Sequence, residues 1–81
     1  MVIYIGNLNY RITSDDLMEV FSSYGKVESA TVITDKFTGR SKGFGFVTME
    51  NNNEARQAIE ALNGAMLEGR KIVVNEARSK R

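Results

Sequence analysis

The chain has 81 residues, 42% of them apolar and 26% charged, with a net charge of +1; that is enough for one domain with a core and too apolar for a disordered polyelectrolyte. It contains no cysteine and no histidine, which excludes a disulfide frame, Cys/His zinc sites and histidine-based catalysis. No apolar run approaches the length of a membrane span, and neither a signal-peptide start nor an Asn-X-Ser/Thr sequon is present, so a cytoplasmic setting is the default and an organelle or the nucleus the alternative.

In chain order, Val2-Ile3-Tyr4-Ile5 reads as a strand ended by Gly6-Asn7. Leu17, Val20, Phe21 and Tyr24 then recur at helical spacing. Thr13 and Asp16 have the spacing of a capping box, and Ile12 can staple onto Leu17. Gly25 is expected to stop the helix in a left-handed conformation. Val27 to Thr34, rich in Val and Thr, reads as a second strand. A polar loop from Asp35 leads into a third strand, Lys42 to Met49. Ala55, Ala58, Ile59 and Leu62 mark a second helix, with Asn51 and Glu54 at capping-box spacing and Asn63-Gly64 at its end. After a turn around Glu68-Gly69-Arg70, Lys71 to Asn75 is the last strand, and residues 79–81 are a short basic tail behind a domain of residues 1–78.

The order β-α-β-β-α-β predicts an α+β fold of the ferredoxin-like, split β-α-β kind. Its four-stranded antiparallel sheet has two helices on one face and the first and third strands at its centre. The other face is then bare. Charge divides along the same line. The first helical segment carries −3 (Asp15, Asp16, Glu19), the second −1, and the strands, loops and tail together +5. Such a split raises nucleic acid as a partner.

Side chains alternate along a strand, so parity decides what the bare face displays. Ile3 and Ile5 are the natural core residues of the first strand, which turns Tyr4 outward. In the third strand, Gly45, Val47 and Met49 share one parity, and Phe44, Phe46 and Thr48 the other. Taking the first set as core buries a glycine where a helix must approach closely and exposes two adjacent aromatics; composition does not decide between them, and for an isolated strand burial preference favours Phe in the core.

Ile3-Tyr4-Ile5-Gly6-Asn7-Leu8 resembles the RNP hexamer, and Lys42-Gly43-Phe44-Gly45-Phe46-Val47-Thr48-Met49 resembles the RNP octamer. Together they are similar to the RNA recognition motif family, including its short bacterial, cyanobacterial and organellar single-domain members. The pattern departs only at Met49, where Phe or Tyr is usual; this position has core parity, and Met packs well in irregular cores. The resemblance implies that Tyr4, Phe44 and Phe46 face solvent, with Tyr4 and Phe46 stacking bases and Phe44 packing on sugars. Lys42 and Arg40 are expected to pair with phosphates. Asn75 and Arg78 either read base edges or belong to a solvated C-terminus. Phe37 is either a loop tip that grips nucleic acid or a residue folded back for packing.

The expected function is therefore the binding of single-stranded RNA, with single-stranded DNA as an alternative ligand, by a monomer without cofactor, metal, membrane or enzymatic chemistry. Protein partners are left open. A protein-binding module on the same fold is the runner-up; it usually covers or loses the sheet aromatics. An acylphosphatase-like hydrolase would need a glycine-rich phosphate cradle that Gly6 to Arg11 lacks, and a metal carrier would need paired cysteines.

Overall fold

The computed structural model describes residues 1–77. Its elements are β1 (Val2–Gly6), α1 (Ser14–Ser22), β2 (Val27–Thr34), β3 (Ser41–Met49), α2 (Asn52–Leu62), β4 (Met66–Leu67), β5 (Arg70–Lys71) and β6 (Val73–Glu76). The main sheet has the order β2-β3-β1-β6 with every neighbouring pair antiparallel. The third strand and the first therefore lie at the centre, as expected, and both helices cover one side.

The core follows from strand parity. Ile3, Ile5, Val47, Met49 and Val74 from the sheet meet Leu17, Phe21, Ala55 and Ala58 from the helices, all buried. Gly45 shows why this parity wins over the burial preference of Phe. A Cβ there would run into the Thr31 carbonyl oxygen and lie 3.2 Å from Leu17 Cδ1, so only glycine lets α1 and β2 approach β3 this closely. Met49 takes its place among the buried residues, paired with Val27 where the β2–β3 register shifts by one residue.

At the start of α1, Thr13 accepts from the Asp16 N–H at 3.2 Å, and Asp16 accepts from the Thr13 N–H at 2.9 Å. The expected capping box is complete. The acidic first turn also complements the positive end of the helix. Ser14 Oγ accepts from the Val32 N–H at 2.9 Å, tying the helix start to the edge strand beside a bulge.

Three local expectations are corrected. Helix α1 stops at Ser22, and Tyr24 closes a tight last turn onto the Phe21 carbonyl at 3.0 Å. Gly25 is nearly extended (φ 159) rather than a left-handed stop. What needs glycine there is space, because a Cβ would collide with the Glu54 side chain. Glu54 in turn does not complete a capping box on Asn51. Asn51 accepts from the Glu54 N–H at 3.0 Å, but the Glu54 carboxylate accepts from the Lys26 N–H at 3.2 Å, across the molecule. Finally, the last strand does not begin at Lys71. Residues 66–71 form a separate hairpin, Met66 opposite Lys71 and Leu67 opposite Arg70. Positive φ at both Glu68 (50) and Gly69 (81) suits a two-residue turn matched to strand twist.

Candidate nucleic-acid interface

The residues that face away from the helices form rows across the sheet. Thr31, Phe46, Tyr4 and Asn75 lie side by side on β2, β3, β1 and β6. Phe44 stands two residues before Phe46 on the same face. The three rings form a triangle: Tyr4 to Phe44 is 6.0 Å between centroids, Tyr4 to Phe46 is 5.9 Å, and Phe44 to Phe46 is 6.1 Å. These spacings lie in the favourable range for tilted and edge-to-face pairs. All three are half-buried, yet none belongs to the core cluster.

Gly6 contributes to that arrangement. A Cβ there would overlap the Tyr4 hydroxyl and lie 2.9 Å from two ring carbons. The glycine therefore lets the Tyr4 ring lie down along the strand over the backbone, presenting a flat surface rather than an edge.

Beside the triangle, the surface dips into an open concavity of about 260 Å³. Tyr4 and Phe44 border it on the sheet side, Asn7 and Tyr10 on the loop that follows β1, and Lys42 and Arg70 contribute its cations. The loop is pinned at several points. Leu8 donates to the Gly43 carbonyl at 2.8 Å, and Asn9 donates to the Glu68 carbonyl at 3.0 Å. Asn7 donates to the Lys71 carbonyl at 2.7 Å and accepts from the Arg70 guanidinium at 2.6 Å. Gly43, at φ 85, occupies a conformation that favours glycine.

The structure brings Tyr4, Phe44, Phe46 and Lys42 together, with Asn75 directly opposite Tyr4. Arg40 stands apart in the β2–β3 loop, exposed, beyond the last paired residues Thr34 and Ser41. Arg78 lies outside the described residues. Phe37 is 95% exposed, so it is a tip and not a residue folded back. Asp35 builds that loop. Its carboxylate accepts from the N–H groups of Phe37 (2.7 Å) and Thr38 (3.1 Å), and its backbone closes onto Gly39 and Arg40. Sequence reasoning missed Asn7, Tyr10 and Arg70 as members of this surface. Asn7 and Arg70 are 63 positions apart, and only the hairpin brings them together.

The acidic residues of α1 and α2 are on the opposite side of the sheet from the rings. The bare side thus presents the cations Lys42 and Arg70 beside the rings, while the acids lie on the helical side. Among the described residues there is no group of acidic residues able to hold a metal ion and no helix long and apolar enough to cross a membrane.

Comparison with known proteins places these features in context. The sequence profile described as the RNA recognition motif matches residues 3–73. The glycine-rich RNA-binding protein blt801 of Hordeum vulgare is 50% identical over 78 residues, covering 96% of this chain and 48% of its own. RbpE of Nostoc sp. is 53% identical over 78 residues, covering 96% of this chain and 79% of its own. The chloroplastic RNA-binding protein CP31B of Arabidopsis thaliana is 55% identical over 75 residues, covering 93% of this chain and 26% of its own. The chain thus spans about half of the barley relative and about a quarter of the Arabidopsis one. Among solved structures, RNA binding protein PG1 superposes with a TM-score of 0.95 at 54% identity, covering 100% of this chain and 98% of that one. A Sex-lethal protein/RNA complex superposes with a TM-score of 0.88 at 37% identity, covering 94% and 47%.

Proposed function

The chain belongs to the RNA recognition motif family, and on that premise we propose that it binds single-stranded RNA across the bare face of its sheet, with single-stranded DNA as an alternative ligand. The observation that carries this reading is the aromatic triangle of Tyr4, Phe44 and Phe46, half-buried on the bare face of two central strands and absent from the core. Every base has a π-face, so such a platform accepts bases with little regard to sequence. In this reading Tyr4 and Phe46 stack bases, Phe44 packs on sugar, and Lys42 pairs with phosphate. In the same reading Asn75, level with Tyr4 on the edge strand, meets the edge of the base stacked there. Arg40 and Arg78 are assigned peripheral phosphate or base contacts, on their charge and on the family resemblance.

The proposed unit is a domain of residues 1–78 with a basic tail at 79–81, acting as a monomeric binding module without chemistry of its own. Relatives from a cyanobacterium and a chloroplast support a cytoplasmic or organellar setting, with the cytoplasm preferred.

The test is an anisotropy titration of random-sequence single-stranded RNA at two salt concentrations. The wild type is compared with Tyr4→Ala/Phe44→Ala/Phe46→Ala, checked for folding by circular dichroism. At about 1–3 kcal/mol per stacked base, the variant is expected to lose on the order of 100-fold or more in affinity. Equal, weak, salt-sensitive binding by both proteins would reduce the RNA signal to general charge attraction and favour the protein-binding reading.

A further inference from the structure

The concavity beside the aromatic triangle is assembled from three separate stretches of chain, residues 4–10, 42–44 and 70, and its parts are held more firmly than an incidental dip requires. Tyr10 is 72% exposed and contributes nothing to the core. Its loop is nevertheless fixed: Asn9 accepts from the Arg11 N–H at 2.9 Å and from the Ile12 N–H at 3.0 Å, and it donates to the Glu68 carbonyl. Asn7 stands at φ 58, a left-handed conformation that asparagine tolerates better than most residues. From there its side chain reaches the β4–β5 hairpin twice, once onto the Lys71 carbonyl and once onto the Arg70 guanidinium. That contact uses one of five guanidinium N–H donors and orients the rest. The concavity carries two cations, Lys42 and Arg70, and no carboxylate among its described lining residues. Its floor is continuous with the stacking platform, because Tyr4 and Phe44 line both.

We propose that this concavity is a subsite for one further nucleotide of the bound strand, with the base against Tyr10 and the phosphate between Arg70 and Lys42. This inference rests on the function proposed above and adds a site that the sheet aromatics do not provide. An oriented guanidinium is suited to phosphate because its planar fork matches two oxygens at once. A volume of about 260 Å³, below the ~300–1,000 Å³ of pockets for drug-sized ligands, suits a single nucleotide rather than a longer segment. Neighbouring nucleotides on the sheet supply the tether that makes so open a site useful, since the next unit of the same strand is already at high local concentration.

The test is a length series. Random-sequence RNA pools of three and six nucleotides are titrated against wild type, Tyr10→Ala/Arg70→Gln, Tyr10→Phe, and the triple sheet variant, with binding followed by amide chemical shifts. The subsite predicts that Tyr10→Ala/Arg70→Gln loses about tenfold or more in affinity for six nucleotides, and at least five times less for three. It also predicts a salt slope for six nucleotides shallower by about 0.7, one phosphate contact on a single strand. Tyr10→Phe, which keeps the ring, retains the wild-type length dependence. Equal losses at both lengths, or no loss at six, overturn the subsite while leaving the sheet reading intact. If the triple sheet variant binds three nucleotides as tightly as wild type, the proposed function fails and the subsite falls with it.

Discussion

The two faces of the sheet are made from the same strands, residue by residue in alternation, and share almost nothing else. Toward the helices stand Ile3, Ile5, Val47, Met49 and Val74, all sealed from solvent. Toward the open side stand Tyr4, Phe44, Phe46 and Asn75, half-buried or exposed. Both faces are rich in large apolar groups, so hydrophobicity alone does not tell them apart. The difference is the presence of α1 and α2 on one side. A domain this small can devote one sheet face to stability and the other to a ligand, provided no side chain is asked to do both.

That separation is most exposed to test at adjacent residues. Ile5→Ala removes a buried side chain and is expected to cost about 2–5 kcal/mol of unfolding free energy. Tyr4→Ala should instead cost about 1–3 kcal/mol in RNA binding and much less in stability. Denaturant titration and anisotropy on both variants decide the matter, and comparable effects on both quantities would break the division. The two strand glycines sharpen it further. Gly45→Ala would force a methyl group against the Thr31 carbonyl and Leu17, with an expected destabilisation of about 1–3 kcal/mol by denaturant titration. At Gly6→Ala the atoms nearest the new methyl group all belong to the Tyr4 side chain, which can swing away. The fold should therefore be largely kept, while RNA affinity drops several-fold as the platform tilts.

Smaller effects follow on each side. Thr13→Ala breaks the capping box behind the sheet and is expected to cost about 1 kcal/mol of stability, read as a lower melting temperature with RNA affinity of the folded protein unchanged. Phe37→Ser, at a 95% exposed tip, should alter stability by no more than about 0.5 kcal/mol. A larger change in the denaturation midpoint would mean that the ring packs somewhere.

Much of this was legible in the sequence because the signals were local. The helical spacing of Leu17, Val20 and Phe21, the Thr13–Asp16 pair and the Val- and Thr-rich second strand each act over a few residues, and each appears where expected. The parity of the third strand was harder. Burial preference pointed toward Phe in the core, and the octamer resemblance pointed away from it. Gly45 decides it physically, since no larger side chain fits under Leu17. Most of the losses share one cause. Glu54 abandons its own helix cap for the Lys26 N–H, Gly25 makes room for that carboxylate, and Arg70 finds Asn7 across the fold. Partners so distant in sequence leave no periodic trace. The β4–β5 hairpin escaped for a simpler reason: strands of two residues are too short for alternation to show.

The pairing of β1 with β6 carries a mechanical consequence. Ile3 lies opposite Glu76, and the Ala77 N–H donates to the Val2 carbonyl at 2.9 Å, so the first and last strands meet at the same end of their ladder. Tension applied across the domain through its two ends would load those hydrogen bonds one at a time, as in opening a zipper, rather than shearing them together. β6 peels away first, taking Asn75 from beside Tyr4, while β1 stays clamped to β3. Under such a pull the edge of the proposed base-binding surface is the first part to come undone.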